Sequence, residues 1–274
     1  MNKGLTIIAI LILSTVLQSC QSSHQANKEV LPVVSAVFPS SDTLPENLLR
    51  MYIHFSTPMK TIGNLEKIKL VEEQGQEVVG AIFNNVYELW DKNQKQLTLI
   101  FDPSRVKTGL IVHEQRGRSL QAGKNYKLVI GQLEDVEGNK LEKVYAKSFY
   151  VNVEDSLSPN TALWTMKIPR ANGQQPLIVQ FPAMLDRLSL LQRLHLTDKN
   201  NETNLGDIDI AKDETGWRFK PVNDWSAGNY FLYVHGRLED PCGNNLNGLF
   251  DHKIGTLKNE REGMTERISV TIVD

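Results

Sequence analysis

The residues in this chain whose types could do acid–base chemistry are two carboxylate pairs, Glu134-Asp135 and Glu239-Asp240. Glycoside hydrolysis needs two carboxyls on opposite sides of a bond, about 5–10 Å apart. Adjacent strand residues point to opposite faces, so neither pair forms such a site alone. Gly138-Asn139 follows the first pair and Gly243-Asn244 the second. An Asp in that setting accepts backbone hydrogen bonds in a tight turn, and this is the role expected of Asp135 and Asp240. The spacing lacks the repeated oxygen ligands of a dedicated calcium loop. The six histidines, His24, His54, His113, His195, His235 and His252, show no HExxH or related clustering, so no zinc site is expected. There is no Gly-x-Ser-x-Gly elbow and no phosphate-binding loop. The sequence therefore predicts no catalytic residues, no metal and no cofactor, and the chain is not expected to be an enzyme.

The elements that carry these pairs come twice. Leu133-Glu134-Asp135-Val136-Glu137-Gly138-Asn139-Lys140-Leu141 returns as Leu238-Glu239-Asp240-Pro241-Cys242-Gly243-Asn244-Asn245-Leu246. Each copy follows a strand-like run introduced by Ala-Gly and Tyr, at Ala122-Gly123-Lys124-Asn125-Tyr126 and at Ala227-Gly228-Asn229-Tyr230. Upstream, Leu49–Phe55 with Ser56-Thr57-Pro58-Met59 corresponds to Leu177–Phe181 with Pro182-Ala183-Met184-Leu185, and the displacement persists through Ile68-Lys69-Leu70 and Leu194-His195-Leu196. A displacement that persists over so many positions marks an internal repeat. Apolar and polar residues alternate along these runs, as in half-buried strands. Met184–Leu191 is the exception, its apolar residues falling at helical spacing.

Short strands with turn signals between them predict an all-β chain: two tandem immunoglobulin-like antiparallel β-sandwich domains after a lipoprotein signal peptide. The expected divisions are a signal peptide over 1–19, a flexible tether over 20–31, domain 1 over 32–153, a linker over 154–160 that lets the domains meet end to end, and domain 2 over 161–274.

The first unit carries an insertion, the 104–120 loop, that the second crosses in a few residues. Arg105, Lys107, His113, Arg116 and Arg118 make it locally basic, and Leu110-Ile111-Val112 gives it an apolar patch. Long loops on a rigid scaffold are where binding concentrates, so these five basic residues form the candidate partner-binding site. The alternative is carbohydrate binding by the loop tryptophans Trp90 and Trp225. Trp217 reads as core, and Trp164 as packing at the joint between units.

At the start of the chain, an apolar run from Leu5 to Leu17 is followed by Ser19-Cys20. It is shorter than a comfortable membrane span of about 20 residues and ends in small residues. Leu17-Gln18-Ser19-Cys20 resembles the lipobox of bacterial lipoproteins, which implies lipidation at Cys20 and contact with a membrane through the acyl chains. Gln21 after the cysteine fits an outer-membrane destination. With Cys20 lipidated, Cys242 has no partner within the chain, which leaves an intermolecular disulfide or an exposed free thiol. Thirty basic against 32 acidic residues give a net charge of −2 and no nucleic-acid footprint.

Phe55-Ser56-Thr57-Pro58-Met59 with Asp135-x-x-Gly138-Asn139 resembles the bacterial Ig-like domain of S-layer and other envelope proteins. Phe101-Asp102-Pro103-Ser104-Arg105-Val106-Lys107-x-Gly109-Leu110, Trp217-Arg218-Phe219-x-Pro221 and Leu238-Glu239-Asp240-x-x-Gly243-Asn244 are similar to a family of bacterial envelope proteins that brings no established activity or catalytic residues with it. The resemblance spans roughly residues 33 to 255. It implies the fold and a cell-envelope compartment; the chain is expected to act there as a non-catalytic binding or spacer module, with an envelope protein or a glycan as partner.

Overall fold

Runs of alternating apolar residues, broken by Gly, Pro, Asn and Asp, fold here as paired strands. The computed structural model describes residues 31–84, 87–198, 200, 202–203, 205–252 and 264–274. In the first half, β1 (Val34–Phe38), β2 (Thr43–Pro45), β3 (Arg50–Phe55), β4 (Ile68–Glu72), β5 (Leu89–Trp90), β6 (Gln96–Ile100), β7 (Asn125–Ile130) and β8 (Tyr145–Asn152) form two sheets. Their orders are β1-β3-β6-β5 and β2-β8-β7-β4. The second half contributes β9 (Thr165–Lys167), β10 (Leu177–Gln180), β11 (Leu194–Thr197), β12 (Gly206–Ile210), β13 (Gly216–Pro221), β14 (Gly228–His235) and β15 (Thr265–Ile272). These pair as β12-β13-β10-β9 and β11-β14-β15.

The order of the first half thus recurs in the second. β1, β3, β6 and β5 correspond to β9, β10, β13 and β12, and β4, β7 and β8 to β11, β14 and β15. The sequence repeat is a repeat of topology. Among the described residues the second half has no counterpart of β2, which pairs in parallel with β8.

Each half encloses its own core. In β7 the inward residues are Tyr126, Leu128 and Ile130, and in β14 they are Tyr230, Leu232 and Val234, a period of two in both. Leu97, Leu99 and Leu128 fill the first core and Leu177, Trp217 and Leu232 the second, all of them fully buried. Burial of each such side chain contributes about 1.5–3 kcal/mol. The helical spacing near Met184–Leu191 becomes α3 (Arg187–Arg193), capped by Asp186, whose Oδ1 accepts from Ser189 N at 2.8 Å. The insertion folds into two short helices, α1 (Pro103–Val106) and α2 (Ile111–Arg116).

The repeated turns are built alike. Asp135 Oδ1 accepts from Glu137 N and Asn139 N, and its Oδ2 accepts from Asn139 Nδ2. Asp240 Oδ1 accepts from Cys242 N and Asn244 N, and its Oδ2 from Asn244 Nδ2. The copies differ in surroundings. Val136, Glu137 and Gly138 are exposed, whereas Pro241, Cys242, Gly243 and Asn244 are buried, because the second turn docks into the base of the first sandwich.

Leu49 N donates to Pro241 O at 2.9 Å across that contact. The exposed free thiol envisaged for Cys242 is corrected by the docking: the residue is 1% exposed, and its Sγ lies 3.3 Å from Asn47 Oδ1. Burial pushes the thiol well up, so it stays protonated. The linker segment is tied to residues on both sides. Asp155 N donates to Asn47 Oδ1, and Asp155 O accepts from Asn47 Nδ2 and Asn244 Nδ2. Leu31–Asp274 forms one compact unit.

Gly138 and Gly243 both hold left-handed backbone, at φ +90 and +83. A Cβ on Gly138 would meet nothing nearer than Lys60 Nζ at 3.9 Å, but one on Gly243 would lie 2.8 Å from Leu49 Cδ2. Gly138→Ala should therefore cost about 1–2 kcal/mol for the backbone alone. Gly243→Ala should cost about 1–3 kcal/mol more from overpacking. Urea denaturation of both variants measures the difference; equal losses would show that the second turn is not wedged.

Candidate functional site

Asp102-Pro103 starts the insertion as a helix cap followed by a proline at the first helical position. Asp102 Oδ1 accepts from Ser104 N at 2.9 Å and from Ser104 Oγ at 2.6 Å. Gly109 (φ +76) turns the chain between α1 and α2, and Gly117 (φ +65) ends α2. This local chemistry folds Arg105 inward.

The Arg105 guanidinium donates to five backbone carbonyls. Nε reaches Gly117 O at 2.9 Å, Nη1 reaches Val79 O and Gly80 O at 3.3 Å, and Nη2 reaches Arg118 O at 3.1 Å and Arg116 O at 3.5 Å. The side chain is 6% exposed. Arg105 as a partner-binding residue is therefore corrected: its donors are saturated inside the insertion, where they satisfy carbonyls that short helices and turns leave unpaired. The sequence pattern of basic residues does not distinguish a cation facing solvent from one that ties a loop together.

The other four candidates separate as well. Arg118 is held by Glu46, at 2.7 Å from Nη1, and by Glu154, with Asp251 3.8 Å away. His113 Nδ1 lies 2.7 Å from Arg105 O. Lys107 Nζ sits over the Phe250 ring, 5.8 Å from its centroid. Arg116 is exposed, as are Ile111, Glu114 and Gln115 on the same helix. Of the five basic residues, Arg116 is the one whose head group the structure leaves at the surface of α2.

The insertion also reaches the second sandwich. Thr108 N and Oγ1 both donate to Asp251 Oδ1 at 3.0 Å. It joins a larger polar seam between the sandwiches that sequence reading missed. Arg50 grips Glu239 with two parallel bonds of 3.1 and 3.0 Å. Tyr52 Oη donates to Asp186 Oδ2 at 2.7 Å. Ser40 N donates to Glu214 Oε2 at 2.9 Å, and Arg187 lies 4.1 Å from the Phe38 ring centroid.

Burial dominates the titration of this seam. It raises the Tyr52 phenol, assisted by Asp186, and it raises the carboxyls of Asp186 and Glu214. Asp240 is pushed up to about 7 by burial, with nearby Asp155 adding to it against the bonds from Asn244 and Cys242. One signal was available in the sequence: Arg50 and His54 interrupt an otherwise apolar β3, but nothing there names their partners.

The tryptophans are placed differently from each other. Trp225 is 2% exposed, donates from Nε1 to Gln175 O at 2.7 Å, and lies between Phe219 and Tyr230. That corrects its assignment as a sugar-stacking residue, since a buried ring offers no free face. Trp90 is half-buried, bonded to Glu88 and tilted against Phe55. Trp164 packs edge-on to Phe181 in the second core, and Trp217 is fully buried. Cys20 lies outside the described residues. No helix among the described residues is long and apolar enough to cross a membrane.

With this geometry in hand, the chain is an all-β protein of two immunoglobulin-like sandwiches. No protein-family model matches it, and no curated protein does. Among solved structures it is similar to the N-terminal part of the bacterial S-layer protein SbsC, at 11% identity over 89% of this chain and 45% of that one, TM-score 0.31. It is also similar to a native alpha-2-macroglobulin fragment from Escherichia coli spanning domains MG0-NIE-MG1, at 11% identity over 88% and 97%, TM-score 0.28. The titin fragment A168169 aligns at 9% identity over 89% and 100%, TM-score 0.24. The chain spans less than half of the SbsC fragment. The fold assignment rests on the sheets themselves.

Replacing Arg105 with Ala should leave its carbonyls unpaired in a buried setting and cost about 3 kcal/mol. Arg116→Ala should stay within about 0.5 kcal/mol of the parent. Thermal and urea unfolding test both; an Arg105→Ala protein as stable as the parent would return that residue to the binding candidates.

Proposed function

We propose that this chain is a lipid-anchored module of the cell envelope, non-catalytic, that acts as a stiff spacer and presents a binding surface to an envelope protein or a glycan. The observation that carries the reading is the seam. Bidentate Arg50–Glu239, buried Tyr52–Asp186, the docked turn at Pro241 and the Asp155 ties all cross between the sandwiches. Paired sandwiches on a bare linker reorient freely, whereas directional bonds at several points fix one arrangement. A fixed arrangement is what a spacer needs.

Division into an anchor at Cys20, a tether and two domains belongs to this proposal, as does an outer-membrane destination. Within the insertion, the exposed face of α2 with Ile111 and Arg116 is the part left to meet a partner.

Cys20→Ala should move the protein from the membrane fraction to the soluble fraction of cells; retention at the membrane would remove the lipid anchor. Crosslinking in intact cells, comparing the parent with an Ile111→Ser, Arg116→Ala double variant, tests the surface. Recovery of one protein or glycan that falls at least tenfold in the variant is the expected result, and equal recovery from both would overturn the assignment.

A further inference from the structure

Ser40, in the loop after β1, meets the turn between β12 and β13. Ser40 N donates to Glu214 Oε2 at 2.9 Å, and Asp213 N donates to Ser40 Oγ at 2.9 Å. Asp213 and Glu214 both hold left-handed backbone, at φ 60 and 51, which side chains other than glycine adopt reluctantly. The two bonds to Ser40 hold that strained turn in place. Glu214 is 1% exposed, and its second oxygen, Oε1, is buried with no hydrogen-bond partner. An ionised carboxylate in such a place has Ser40 as its donor and a second, buried oxygen facing no donor, an arrangement that favours the neutral acid.

We propose that this contact is an acid-tightened latch: with Glu214 protonated the two sandwiches are locked through Ser40, and ionisation of Glu214 loosens the seam. The inference rests on the spacer reading, because the seam is the joint of that spacer.

The charged groups around Glu214 come from each neighbouring element. Lys147 on β8 donates to Ser40 O at 3.2 Å and lies 3.7 Å from Asp42, in the loop after β1. Arg187 opens α3, and Asp213 precedes Glu214 in the turn itself. Arg187 and the bonds from Ser40 favour the carboxylate, Asp213 opposes it, and burial outweighs them, holding the carboxyl above its ordinary 4.5. The closed seam therefore keeps a proton that the open seam releases. Closure is at full strength below the ordinary Glu value and weakens as pH rises from there through the raised one. Asp186 and Asp240 shift in the same direction, so they reinforce the effect.

Hydrogen exchange on the full chain, followed by mass spectrometry at pH 5.5 and 7.5 and corrected for intrinsic rates, reads the latch directly. Segments containing Ser40, Leu49 and Asp213 report the seam, and β7 and β14 report whether each variant is folded. In the parent, seam protection should be at least about threefold higher at pH 5.5 than at pH 7.5, since the closed seam holds protons that the open seam releases. Glu214→Gln should be protected at both pH values and lose at least half of that dependence. Ser40→Ala, which removes the acceptor for Asp213 N and the hydroxyl beside Glu214, should lower protection at both. Parent protection that does not change with pH, or an undiminished dependence in Glu214→Gln, overturns the latch and leaves the spacer standing. Seam segments that exchange freely at both pH values in the parent overturn the spacer and the latch with it.

Discussion

The close approach of Gly243 to Leu49 is the constraint on which the rest of the structure depends. A turn that ends one sandwich can enter the base of another only if its backbone is left-handed and carries no side chain at the point of contact. Once it enters, water is expelled from Asn47, Asp186 and Asp240 and partly from Asp155 and Glu239, and each of those polar groups must find a partner. The seam is the set of answers: Asn47 to Asp155, Tyr52 to Asp186, Arg50 to Glu239, Asn244 to Asp240. Polar pairs so enclosed, wholly or in part, contribute little net stability compared with apolar contact, but breaking one leaves a charge or a donor stranded. The seam therefore specifies an arrangement more than it strengthens one.

The insertion is read through the same constraint. Its two helices are too short to stand alone. Arg105 replaces the missing tertiary support by gathering five carbonyls, and the segment so stiffened extends Thr108 and Lys107 toward Asp251 and Phe250 of the second sandwich. Arg118 closes the other side against Glu46 and Glu154. What looked like a loop projecting from a rigid scaffold is part of the scaffold, with one outer face to spare.

The strands, the repeat and the Asp-Gly-Asn turns were legible in the sequence because they rest on local periodicity and on backbone chemistry that neighbouring residues supply. The site was only partly so. Arg105, Trp225 and Cys242 all sit in segments rich in turn residues, where exposure is the natural expectation, and all three are buried by contacts with residues distant in sequence. The two copies of the turn share Leu, Glu, Asp, Gly and Asn and differ chiefly in Val136-Glu137 against Pro241-Cys242. That difference is a trace of the docking, since Glu137 keeps a charge in water where Cys242 accepts burial. It does not name the surface that does the burying.

Duplication with one docked turn has a consequence for where regulation can reside. Asp135 and Asp240 take equivalent sets of three donors, and Asp240, with Asp155 nearby in the seam, is raised to about 7 by burial and by that second carboxyl. Sensitivity to pH in this fold therefore does not come from an added sensor residue. It comes from placing ordinary acids, Asp186, Glu214 and Asp240, between two bodies whose separation would rehydrate them.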